Sequence, residues 1–162
     1  MLRRSLALVC LLPAVAASEP PAADVVRDGM PAEVAAALAA FGHEFGADIA
    51  RQTAAIYASV PHVYDPAEIK VLKDLAYGAE VRQHVDVHTK TALRSGAKAP
   101  VVVVFHGGGL VGGSRAAAAN VADYFASIGY VGVNGGYRLA PGATWPEGAR
   151  DVGTAVTWLH DH

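Results

Sequence analysis

From Pro31 onward the apolar positions follow a helical period. Val34, Leu38, Phe41, Phe45 and Ile49 recur at spacings of four, three, four and four. That is one face of an amphipathic helix, with Pro31 suited to its first turn. Gly42 and Gly46 weaken the run and predict a break near them. Farther along the period changes. After "IKVLKDLAYG", Val81, Val85 and Val87 alternate with Arg82, His84, Asp86 and His88. Strict alternation predicts a strand with one wet face, antiparallel and near a sheet edge. Val101 to Phe105 is a continuous apolar run, which predicts a strand buried on both faces. "SRAAAANVADYFASIG" then reads as a helix, with Ser114 as its N-cap and Gly129 as its stop. "YVGVNGGYRL" is a second buried strand, "APGATWPEG" a loop, and "ARDVGTAVTWLHDH" a further helix.

Strand, helix, strand, loop and helix after an antiparallel start define an α/β domain with a mostly parallel sheet. The sheet is expected to be incomplete. Only two parallel strands are predicted before His162, and no strand follows the last helix. We therefore divide the chain into a signal peptide (1–17), a flexible leader (18–30), an N-terminal helical segment (31–60) and the α/β portion (68–162).

The first seventeen residues differ from the rest. Arg3 and Arg4 precede a short apolar run from Leu6 to Leu12, and Ala14, Ala16, Ala17 and Ser18 follow. This is the pattern of a secretory signal, too short for a spanning helix, and it predicts a secreted or periplasmic protein with no membrane span after cleavage. Cys10 is the only cysteine and lies inside the segment to be removed, so no disulfide, thiol nucleophile or cysteine metal site is expected. The 162 residues carry a formal charge of −2 and are 52% hydrophobic. Scattered Lys and Arg residues give no nucleic-acid footprint.

The stretch with chemistry is "VVVVFHGGGLVGGS", 101 to 114. Glycine-rich turns after a strand bring backbone N–H groups toward negative charge. One reading is a dinucleotide's pyrophosphate, because Gly107, Gly109 and Gly112 satisfy G-x-G-x-x-G between a strand and a helix. That fingerprint needs an acid at the end of the next strand to hold a ribose hydroxyl. "YVGVNGGY" offers Asn134 and glycines instead. The other reading is the oxyanion of acyl transfer, since H-G-G-G directly after a strand is the oxyanion loop of esterases.

"HGGG" at 106–109, "YRLAP" at 137–141, "WP" at 145 and 146, and Asp151 opening a helix together resemble the HGGG-type carboxylesterases of the α/β-hydrolase superfamily. These are the hormone-sensitive-lipase-like and bacterial feruloyl-esterase-like groups. "DLAYG" (74–78) and "RQHVDVH" (82–88) resemble the strand pair before the oxyanion loop in the second group. The resemblance covers about residues 70 to 162 and implies the N-terminal portion of such an enzyme. It implies that Gly108 and Gly109 donate the oxyanion N–H groups, and that His106, Gly107, Tyr137, Arg138 and Asp151 support the loop. It also implies a small ester substrate, a serine acyl-enzyme route and no cofactor.

The family's serine sits in G-x-S-x-G, and none occurs in these residues. The nearest match, Gly112 to Ala116, places Ser114 nine residues past the strand, where it reads as a helix cap. Asp151 with His160 or His162 follows in triad order, but Asp151 and His160 would be about 13 Å apart on one helix. No triad member is therefore assigned, and the 162 residues are expected to be inactive alone. A non-catalytic relic or binding protein is the alternative. His84, Asp86 and His88 share one strand face and are competent metal ligands. Neighbours two apart diverge by about 6.6 Å, and alternation already explains them as a solvent face, so no metal is expected.

Overall fold

The computed structural model describes residues 30–94 and 96–162, so the signal and leader readings lie outside all but its first residue. The chain divides at Pro61 and His62 into two compact units. The first holds two helices, α1 (Ala32–Ala39) and α2 (Ala47–Ala58), which touch each other. The helical period breaks where the glycines stand. Gly42 takes a left-handed φ of 59° and its N–H closes on the Ala39 carbonyl at 3.1 Å. Phe45 consequently sits between the helices and is almost wholly exposed, so the predicted apolar stripe does not run through it.

The second unit is a sheet with helices on its two faces. Its strands are β1 (Ile69–Ala76), β2 (His84–Lys90), β3 (Val101–Phe105) and β4 (Val131–Gly135), in the order β1-β2-β4-β3. β2 runs antiparallel to both β1 and β4, and β3 lies parallel to β4. The sheet is mixed, with its parallel pair formed by the two valine-rich runs. β-Branched side chains favour that extended, pleated backbone. β3 is half-buried rather than buried on both faces, because β4 alone pairs with it among the described strands.

α3 (Ala119–Ser127) follows a short 3-10 turn, Arg115–Ala118, and ends at Gly129, whose φ is 97°. Its buried residues, Ala122 and Ala126, are spaced four apart and small. They let the helix backbone sit directly on β4. A Cβ at Gly132 would lie 2.1 Å from the Ala122 carbonyl oxygen, so only glycine fits there. α4 (Glu147–Asp161) buries Gly148, Asp151 and Ala155 along one side. Ala155, Trp158 and Leu159 meet Val85 and Val133 in the apolar core.

The reading of β2's surroundings is corrected in one respect. The strand is antiparallel and one position in from the β1 edge, as expected, but its polar face is covered rather than wet. Asp86 and His88 are buried and His84 partly so, because the segment 115–127 lies over them. Asp86 accepts from the Asp74 N–H at 2.9 Å, from Arg115 Nε at 3.2 Å and from Asn134 Nδ2 at 3.3 Å. His88 places Nε2 2.6 Å from Asn134 Oδ1 and Nδ1 2.6 Å from Asp123 Oδ1. Asp123 also accepts from the Tyr64 hydroxyl at 3.3 Å. Polar side chains can be buried when each finds partners of this kind. Val81 and Arg82, read as strand, lie outside it, and Val81 is exposed.

Candidate active site

β3 ends at Phe105 and the chain turns sharply through 106–114. Gly108, Gly109 and Gly113 have φ of 129°, 63° and 96°, and Leu110 joins them at 63°. This backbone favours glycine, and a left-handed leucine among the glycines marks local strain. The loop folds onto itself. The Gly108 carbonyl accepts from the Val111 and Gly112 N–H groups at 3.2 and 3.1 Å, and the Leu110 carbonyl accepts from Ala140 at 2.9 Å. A Cβ at Gly108 would lie 2.2 Å from the Gly112 oxygen, and one at Gly113 would lie 2.4 Å from both the Gly107 oxygen and His106 Nδ1. The N–H groups from Gly107 to Leu110 have no acceptor among the described residues. Four successive unpartnered donors at the carboxyl end of a sheet strand can stabilise an oxyanion or another anion.

The residues around the loop are tightly connected. His106 is buried, its ring stacked on Tyr137 at 4.5 Å between centroids. The Tyr137 hydroxyl donates to the His106 carbonyl at 2.8 Å. His106 Nδ1 lies 2.8 Å from the Gly107 carbonyl and, facing an acceptor, donates to it. Nε2 is buried and has no partner among the described residues. The ring is thus oriented by its neighbours and bonded to no acidic side chain.

Arg138 grips Asp151 twice, through Nε to Oδ2 at 2.9 Å and Nη2 to Oδ1 at 2.7 Å, and its N–H adds a third bond at 2.9 Å. Glu147 accepts from the same guanidinium at 2.9 Å. Burial alone would raise the Asp151 carboxyl. The bonds from Arg138 and from Gln83 outweigh that and hold it below its ordinary value of 3.8. The Asp151 hydrogen bonds raise the already basic Arg138 further.

Two participants lie inside the stretches that resemble the strand pair, and the resemblance implies no role for either at the loop. Gln83 is buried and donates to Asp151 Oδ1 at 2.7 Å, and Tyr77 is buried and donates to the Gly136 carbonyl at 2.6 Å. Burial and then the Asp151 charge push the Tyr77 phenol well above its ordinary value. Both residues flank a hairpin turn, where polar and aromatic side chains are ordinary, and their partners lie more than fifty residues away.

Ser114 precedes the 3-10 turn in extended conformation and makes no side-chain cap bond, while α3 begins only at Ala119. The predicted N-cap role is therefore not filled, because the 3-10 turn separates the serine from the helix. His160 lies beside Asp161, and His162 stacks on Trp158 with Nδ1 2.9 Å from the Trp158 carbonyl. Neither meets Asp151, whose bonds run to Arg138 and Gln83. Asp86 and His88 bond to protein partners, and no group of three metal-competent side chains gathers among the described residues. A cavity of about 540 Å³ adjoins His106, Ser114, Arg115, Arg82 and Gly136. No helix among the described residues is long and apolar enough to cross a membrane.

A partial mixed sheet flanked by helices, with a glycine loop closing its parallel strand, is an α/β-hydrolase arrangement. The BD-FAE family model matches residues 85–162. Esterase LipQ of Mycobacterium tuberculosis is 27% identical over 108 residues, which are 64% of this chain and 26% of that protein. The Probable carboxylic ester hydrolase LipM of the same organism is 32% identical over 91 residues, 55% of this chain and 21% of that one. Among solved structures, esterase B from Lactobacillus rhamnosis superposes with a TM-score of 0.59 at 27% identity, covering 80% of this chain and 39% of its own. The chain has the α/β-hydrolase fold, and over residues 85–162 it is similar to the BD-FAE family of that superfamily. It spans about a quarter of the length of the curated relatives it matches.

Proposed function

We propose that these residues supply the oxyanion-stabilising part of a serine carboxylesterase acting on small esters. The observation that carries the reading is the run of unpartnered N–H groups from Gly107 to Leu110, held in a left-handed turn at the end of β3. Gly108 and Gly109 donate to the carbonyl oxygen as it gains charge, and His106, Gly107, Tyr137, Arg138 and Asp151 keep the donors in place. Donors fixed before the reaction stabilise the transition state without reorganising. The serine, its base and the acid are not assigned among the 162 residues. The N-terminal pattern at Arg3, Arg4 and Leu6–Leu12 supports export to the periplasm or beyond.

The test is ester turnover by the protein carrying this segment. Gly109→Ala keeps the N–H but sets a Cβ on backbone at φ 63°, and turning the donor out of line should lower kcat by about tenfold with KM little changed. The 162 residues alone should give no turnover. Turnover by them that Ser114→Ala abolishes would overturn the assignment.

A further inference from the structure

We propose that the β1–β2 turn is the brace of the glycine loop and that Gln83 is its positioning residue. The proposal adds residues outside the HGGG and YRLAP motifs, and its functional meaning rests on the oxyanion reading above. The turn is closed by its own backbone, with Tyr77 N–H donating to the Gln83 carbonyl at 3.0 Å and Gln83 N–H to the Glu80 carbonyl at 2.8 Å. The Gln83 side chain is then fixed at both ends. Oε1 accepts from the Glu80 N–H at 3.0 Å, and Nε2 donates to Asp151 Oδ1 at 2.7 Å. One amide used as both acceptor and donor has a single workable orientation. The neighbouring backbone is shaped around it, since a Cβ at Gly78 would lie 2.1 Å from Gln83 Oε1.

From that anchor the connections lead to the loop. Asp151 holds the Arg138 N–H and guanidinium, and Tyr77 holds the Gly136 carbonyl, so the segment 136–138 is gripped from both sides. Between those grips stands Tyr137, whose hydroxyl and ring hold His106. His106 is the residue from which the four unpartnered N–H groups follow. A second link runs from Leu110 to Ala140, just beyond the same segment. Gln83 touches none of the donors and acts through Asp151 and Tyr137.

Amide hydrogen exchange of the 162-residue chain tests this without using activity. Reporters in the loop are the Val111 and Gly112 N–H groups bound to Gly108, and the Ala140 N–H bound to Leu110. Gln83→Glu keeps the shape but sets a carboxylate against Asp151, with Arg138, Glu147, Glu80 and Tyr77 as the other titratable groups around it. At neutral pH the reporters should lose about tenfold in protection while β4 amides keep theirs. Protonating the new carboxyl restores a donor to Asp151, so protection relative to wild type should return at low pH. Tyr77→Phe removes one hydroxyl, leaves the ring, and should loosen the same reporters by a smaller factor. Equal loss across the whole unit, or loss confined to the Arg138 N–H with Val111 and Gly112 unmoved, would overturn the proposal. If the reporters respond but Gly109→Ala leaves ester turnover unchanged, the brace stands and the ester reading falls.

Discussion

The two faces of the sheet are built on opposite principles. Toward α4, Val85, Val133 and Ala155 are fully buried and the contact is apolar. Toward α3, the same strands present Asp86, His88 and Asn134, also buried but joined by hydrogen bonds. Apolar contact is non-directional and degrades in proportion to the area lost. A buried polar cluster is directional, and removing one member strands its partners. Val133 and Asn134 are neighbours on β4, so a single strand samples both principles under the same backbone constraint.

The largest expected effect is at Asn134. Asn134→Leu keeps the branching and heavy-atom count but leaves Asp86, His88 and the Arg115 carbonyl each short of a bond, and should cost about 3–4 kcal/mol in urea unfolding. Combining it with His88→Leu should cost less than the sum of the two by about 1 kcal/mol, because the partners are removed together. Val133→Ala, one position away, should cost about 2 kcal/mol, the ordinary toll for a buried valine. A larger loss at Val133 than at Asn134 would erase the contrast between the faces. Acid titration separates a third contribution. The Asp151 carboxyl is depressed in the folded state, so the stability it confers is present above 3.8 and lost as pH falls through the folded value. The slope of unfolding free energy against pH in that acid range should flatten in Asp151→Asn. Smallest of all, Ser114→Ala should change the unfolding free energy by no more than about 0.5 kcal/mol, since the hydroxyl caps nothing.

The same contrast explains what could be read from the sequence. The α4 face was legible because its signal is local. Valine runs announce β3 and β4, and the glycines after β3 announce a turn whose chemistry depends on backbone. The α3 face was misread because its signal is distributed. Alternation around Asp86 and His88 looks the same whether water or Arg115, Asp123 and Asn134 lies opposite, and those partners come from 29 to 48 residues away. An asparagine inside the otherwise apolar run at β4 was the available hint. Around the loop, His106, Tyr137, Arg138 and Asp151 came through the family resemblance. Tyr77 and Gln83 lie in the stretches that resemble the strand pair, yet their contacts with Gly136 and Asp151 are visible only in the folded chain.

The glycine loop carries one more consequence, for anyone building a library over it. Its five glycines between His106 and Ser114 are unequal: a side chain at Gly107 would meet open space, and one at Gly112 only a distant oxygen. Gly108 and Gly113 instead occupy left-handed backbone pressed against the opposite limb of the loop. Randomising all these positions alike would spend most clones on two interlocked sites that accept nothing else. Diversity placed at Gly107 and Gly112 would leave the turn intact, giving an alphabet with which to vary the loop's chemistry while its shape is inherited.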